Sequence, residues 1–163
     1  GQLVVNGRNV TALKSSEVPY FRRSLGIIFQ DYRLLPNRTV YENVAFAMQV
    51  IEAPRRIMQR SVNAVLDVVG LRDKYRSFPS QLSGGEQQRV AIARAIVNDP
   101  SIVIADEPTG NLDEAMRDEI LALLEELNTE GLTIIAVTHD SAVAKRAHRR
   151  LRLNKGTIRE DRA

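Results

Sequence analysis

Three apolar runs limit how this chain folds: LGIIFQ (25–30), SIVIADEP (101–108) and LTIIAVTHD (132–140). None of them alternates apolar and polar residues, so none reads as a strand with one face in water. Such runs, separated by segments of helical period, mark the buried strands of a parallel sheet linked by helices. Each run ends on polar residues: Gln30, the pair Asp106 and Glu107, and His139. In a parallel sheet those ends share one edge, and ligands bind beyond the carboxyl ends of the strands. The pattern predicts a site there.

The intervening segments carry the helical period. Val40, Val44, Ala47 and Ile51 fall on one face of a helix expected over 39–51. Further helices are expected over 57–69, 86–97 and 114–128, the last with Ile120, Leu123, Leu124 and Leu127 on one stripe. A short helix is expected over 141–147, and another begins near Ser16, with Pro19 behind it. LVVNG predicts a strand over 3–5 running into an Asn6-Gly7 hairpin turn, and RRLRLNKG a late strand and turn.

A chain of 163 residues suits one domain, and without cysteine it has neither disulfides nor thiolate metal sites. No apolar run nears the roughly 20 residues of a membrane span, and the first residues do not form a signal peptide. The net charge of +3 is mild, and 5% aromatic residues argue against a base-stacking surface. The basic stretch 145–152 and His148 within it read as a solvated face, so no nucleic acid partner is expected.

LSGGEQQRV opens a helix in an unusual way. Ser83 and Glu86 have the spacing of a capping box. Yet Gly84 and Gly85 fill the first turn, at about 1 kcal/mol each relative to alanine. A helix N-terminus attracts anions, and glycine lets a phosphate approach the backbone. The pair therefore argues for a ligand or partner against that end. Of the two acids at 106–107, Asp106 suits a hydrated Mg²⁺ and Glu107 an attacking water, with His139 near the transferred phosphate. An isolated acid pair would read as the start of a solvated loop; the glycine helix and His139 favour a site.

These segments carry a resemblance. LSGGEQQRVAIARA resembles the signature motif of ATP-binding-cassette (ABC) ATPases. IVIADEPTGNLD resembles their Walker B segment and D-loop, Gln30 matches the Q-loop and His139 the switch histidine. The resemblance implies an α/β P-loop NTPase core with a parallel sheet and an inserted α-helical subdomain. One ABC ATPase domain would span 1–163, with the helical signature subdomain at roughly 31–97 and the Walker B and switch half at 98–163. ATP and Mg²⁺ are the implied cofactors. Asp106 and Gln30 would serve the metal, Glu107 would be the catalytic base, and His139 would sense the γ-phosphate. Ser83, Gly84 and Gly85 would contact ATP held by the other subunit of a homodimer, with Asp113 at the dimer interface. Gln30 would also link the nucleotide to an integral membrane partner, placing the protein peripherally on the cytoplasmic face of a bacterial plasma membrane.

The sequence departs from the family pattern: it contains neither a GxxxxGK[ST] loop nor the upstream aromatic that family members stack on adenine. With a start inside a hairpin, the expectation is an N-terminally truncated ATPase domain that does not turn over ATP alone. FQDYRLLPNRTVYENVAF resembles the cell-division branch of the family, which controls cell-wall hydrolases. The C-terminal VTHDSAVAKRAHRRLRLNKGTI leans toward the lipoprotein-release and macrolide-export branches. A chromosome-maintenance head would carry long heptad repeats, which this sequence lacks. A non-hydrolytic scaffold would need neither Glu107 nor His139.

Overall fold

The structure, a computed structural model, describes residues 1–161. A short antiparallel hairpin comes first, β1 (Val4–Val5) and β2 (Arg8–Asn9), turning at Asn6 and Gly7 with φ of 49° and 71°. Both turn residues are left-handed, as a type I′ hairpin turn requires. Helix α1 (Val18–Arg23) starts two residues later than Ser16, with Pro19 in its first turn. The central sheet is parallel, in the order β3 (Leu25–Ile28), β4 (Ile102–Asp106), β5 (Thr133–Val137).

Three helices connect β3 to β4. They are α2 (Val40–Gln49), α3 (Arg55–Val68) and α4 (Gly84–Ile96). Helix α5 (Glu114–Thr129) connects β4 to β5, and α6 (Ser141–Arg146) leads to the hairpin of β6 (Leu151–Asn154) and β7 (Thr157–Glu160). Local chemistry sets several of these starts. Thr39 and Glu42 form a capping box on α2, Ser83 and Glu86 form one on α4, and Asp113 and Asp140 cap α5 and α6.

One core joins the layers. Ile28, Val103 and Ala105 from the sheet meet Val44 and Met48 of α2, Leu66 of α3, Ile92 of α4 and Ile120 of α5. Helix α4 approaches β3 so closely that a Cβ on Gly26 would lie 2.6 Å from the Ala95 carbonyl oxygen. No other residue type fits there without displacing backbone.

The parallel sheet is as expected, but its burial is not. The face bearing Ile28, Val103 and Ala105 is covered, while on the opposite face Ile27, Ile135 and Val137 are 42%, 50% and 55% exposed. An unbroken apolar run reports that both sides of a strand are apolar; it does not require that both be covered within these residues.

The loop after Gln30 is partly buried. Leu34 packs against the core. Asn43 is fully buried, accepts from the Leu35 amide at 2.7 Å and donates to the carbonyls of Leu35, Arg38 and Thr39. The basic stretch is largely neutralised: Arg146 grips Glu125 at 2.6–2.7 Å, Arg149 pairs with Glu160 and Arg152 with Asp161. Exposed pairs of this kind contribute at most about 1 kcal/mol each. No described helix is long and apolar enough to cross a membrane.

Candidate active site

The parallel register sets Asp106 opposite Val137 at the ends of β4 and β5. Gln30 follows β3 by two residues on the same edge of the sheet. Past Asp106 the chain leaves strand geometry at once. Glu107 has φ of 44°, a left-handed conformation costly for a residue with a Cβ. Its amide still donates to the Val137 carbonyl at 2.9 Å, so the acid is fixed against the end of β5.

Glu107 and His139 form the centre of the site. The His139 ring Nδ1 lies 2.6 Å from Glu107 Oε1, and the His139 amide donates to the same oxygen at 2.8 Å. The Thr138 hydroxyl donates to Glu107 Oε2 at 2.9 Å. Burial alone would raise the Glu107 pKa; the hydrogen bonds from His139 and Thr138 and the His139 charge outweigh it and hold the carboxyl below its usual range. The same hydrogen bond and the Glu107 charge raise the His139 pKa. His139 is otherwise open to solvent, so its ring is free to meet an incoming anion. Glu107, Thr109, Gly110, Arg117, His139 and Asp140 line a cleft of about 410 Å³.

Segment 107–113 ties this centre to the remaining candidates. Gln30 lies beside Gly110, where a Cβ would be 3.1 Å from Gln30 Nε2, and the Asn111 side chain donates to the Gln30 carbonyl at 2.8 Å. Asp113, at the far end, accepts from the Met116 amide at 2.9 Å as the cap of α5. Gly84 and Gly85 sit beside that end: a Cβ on Gly84 would be 3.3 Å from Leu112 Cδ2 and from the Tyr32 hydroxyl, and one on Gly85 would be 3.0 Å from Met116 Sδ. Both glycines thus have a local reason to be small, and their cost to the helix does not by itself require a ligand. Ser83 is exposed at the tip of α4. The candidates therefore form two groups, Glu107–His139–Gln30 and Ser83–Gly84–Gly85, at opposite ends of one short loop.

Among the described residues, no three His, Cys, Asp or Glu side chains converge to hold a metal ion. What Asp106 and Gln30 offer is a carboxylate and an amide oxygen. That donor set fits Mg²⁺, which keeps much of its water and takes other ligands from phosphate. The sequence reading missed Thr138, whose hydroxyl lies between two residues it did single out; its place at the end of the third apolar run was the available signal. It also missed Arg94, which reaches from α4 to the carbonyls of Tyr32 and Arg33.

Residues 1–110 match the family model described as ABC transporter. Over 162 residues the chain is 54% identical to the cell division ATP-binding protein FtsE of Streptococcus pneumoniae, covering 99% of this chain and 70% of that one. It is 51% identical to the FtsE of Escherichia coli, covering 97% and 72%. Among solved structures it superposes, at a TM-score of 0.83 and 35% identity, on a dimeric ATP-binding cassette in a post-hydrolysis state bound to ADP and Pi, covering 99% of this chain and 72% of that one.

Proposed function

This chain belongs to the ABC transporter family, and from that premise we propose that it works as the ATP-binding and ATP-hydrolysing subunit of an FtsE-like cell-division complex. One observation carries the hydrolytic reading: the Glu107 carboxylate stands at the carboxyl end of β4, in one cleft with His139. There Glu107 takes the proton of the attacking water, since a base must lie within hydrogen-bond reach of that proton. His139, freed from Glu107, donates to the γ-phosphate. Asp106 and the Gln30 amide oxygen are the residues that would hold Mg²⁺, which when bound neutralises phosphate charge. The sequence has no GxxxxGK[ST] loop, so turnover is proposed for a protein in which this chain is joined to one.

The working form is a homodimer with composite sites, in which Ser83, Gly84 and Gly85 meet the ATP held by the other subunit. Asp113 then lies at the dimer interface. The partner is an FtsX-like integral membrane protein, which keeps the subunit on the cytoplasmic face of the membrane and conveys its cycle to cell-wall hydrolases. A groove of about 520 Å³ beside the loop after Gln30, lined in part by Ile27, Phe29, Phe46 and Val50, supports docking of a segment of that partner. Helices α2–α4 act as the signature subdomain, roughly 31–97, against the Walker B and switch half at 98–163. The names of the cell-division relatives favour this branch over lipoprotein release or macrolide export.

The test is Glu107→Gln in the loop-bearing protein. Turnover should fall by at least about 100-fold while ATP stays bound and ATP-dependent dimers accumulate, because shape is kept and the base is lost. Near-normal turnover would remove Glu107 from this role.

A further inference from the structure

We propose that Thr138 is a positioning residue for hydrolysis, holding the plane of the Glu107 carboxylate through its hydroxyl. The inference rests on Glu107 being the base. The two carboxylate oxygens are held differently. Oε1 receives both the His139 amide and the His139 ring. Oε2 receives the Thr138 hydroxyl at 2.9 Å. The hydroxyl cannot rotate freely, because it also accepts the Asp140 amide at 3.0 Å. A hydroxyl has one proton, and with an amide on its lone pair that proton is directed to Glu107. Asp140 is itself fixed as the cap of α6, accepting from the Ala142 amide at 2.7 Å. Backbone and helix cap thus orient one oxygen of an acid whose own φ of 44° gives it a strained attachment.

The arrangement matters most once His139 turns toward a phosphate. The ring contact is then lost, and the His139 amide and the Thr138 hydroxyl remain as a grip on both oxygens. With the hydroxyl removed, one oxygen is held and the carboxylate turns about that point, moving the lone pair that must meet the water. Displacements of about 1 Å at a reacting group cost up to about 100-fold in rate.

The experiment compares Thr138→Val, Thr138→Ser and Glu107→Gln in the protein that carries this chain with a phosphate-binding loop, measuring kcat, KM for ATP and thermal midpoint. Valine keeps the shape and loses the hydroxyl; serine keeps the hydroxyl. The expected result is a ~10- to 100-fold fall in kcat for Thr138→Val with KM within about twofold, and recovery of most of that rate by Thr138→Ser. In a Glu107→Gln background, adding Thr138→Val should leave ATP-dependent dimerisation unchanged. An unchanged kcat in Thr138→Val, a serine variant as slow as the valine one, or a rise in KM alone would each overturn the proposal. Normal turnover in Glu107→Gln would instead overturn the assignment of the base.

Discussion

Arg94, in the last turn of α4, donates to the carbonyl of Tyr32 at 2.7 Å and, with its other terminal nitrogen, to that of Arg33 at 2.6 Å. Tyr32 and Arg33 are consecutive non-glycine residues with φ of 57° and 46°. Each such residue costs of order 1 kcal/mol, so the turn persists where something holds it. Arg94 does so: burial lowers its pKa, and its fork spans both carbonyls. Helix α4 is thereby locked to the loop that follows Gln30. Arg94→Ala should destabilise the chain by about 1.5–3 kcal/mol, the range for hydrogen bonds to a charged group. Arg94→Lys should recover only part of that, because one ammonium does not reproduce the fork. Urea unfolding measures both, and an alanine variant as stable as the parent would show that the turn holds itself.

The capping boxes on α2 and α4 give the fold an acid limit. The Thr39 amide donates to Glu42 and the Ser83 amide to Glu86, each at 2.8 Å, and those bonds hold both carboxyls below the ordinary value of 4.5. A lowered folded-state pKa means that the unfolded chain binds more protons in this range. The stabilisation is complete above the ordinary value and is lost as pH falls through the lowered ones. Glu42→Gln with Glu86→Gln should therefore flatten the fall in urea midpoint between about pH 5 and pH 3. Glu107 and Glu125, also lowered, keep part of the slope. An acid limb identical to the parent's would place the acid sensitivity elsewhere.

The legible parts of the fold were those written in local chemistry. Ser83 with Glu86, Asn6 with Gly7, and the stripe of Ile120, Leu123, Leu124 and Leu127 each stand close in sequence, and each formed as read. The shared edge of Gln30, Glu107 and His139 followed from the runs being parallel strands, and the register bears that out. Contacts between distant segments were not legible. Asn43 reads as one polar residue in a helix, yet it is buried and organises the loop at 35–39. Nothing near Arg94 in the sequence marks its partners, which lie about 60 residues away. The two glycines are the instructive case. Their cost was visible in the sequence, while Leu112, Met116 and Tyr32, which explain much of it, come near only in the fold.

That local explanation sharpens the test of the composite site, because it moves the decision from the glycines to Ser83. Ser83 is exposed, and its side chain accepts from the Glu86 amide at 3.2 Å. Ser83→Ala loses that cap, about 1 kcal/mol, and adds no bulk. Ser83→Arg loses the same cap and projects a long side chain into the space where the proposed composite site puts the other subunit's phosphate. In a loop-bearing protein made ATP-retaining by Glu107→Gln, both variants should bind ATP at their own loop nearly as the parent does. The alanine variant should still dimerise on ATP, read by light scattering, and the arginine variant should not. Mixing Ser83→Arg with a phosphate-loop variant, in the Glu107-intact background, puts both lesions in one composite site and leaves the other whole. Partial hydrolysis on mixing would then show that one intact site suffices. If Ser83→Arg dimerises as readily as Ser83→Ala, no phosphate approaches this end of α4 from a second subunit, and the two glycines serve only the packing of α4 against Leu112 and Met116.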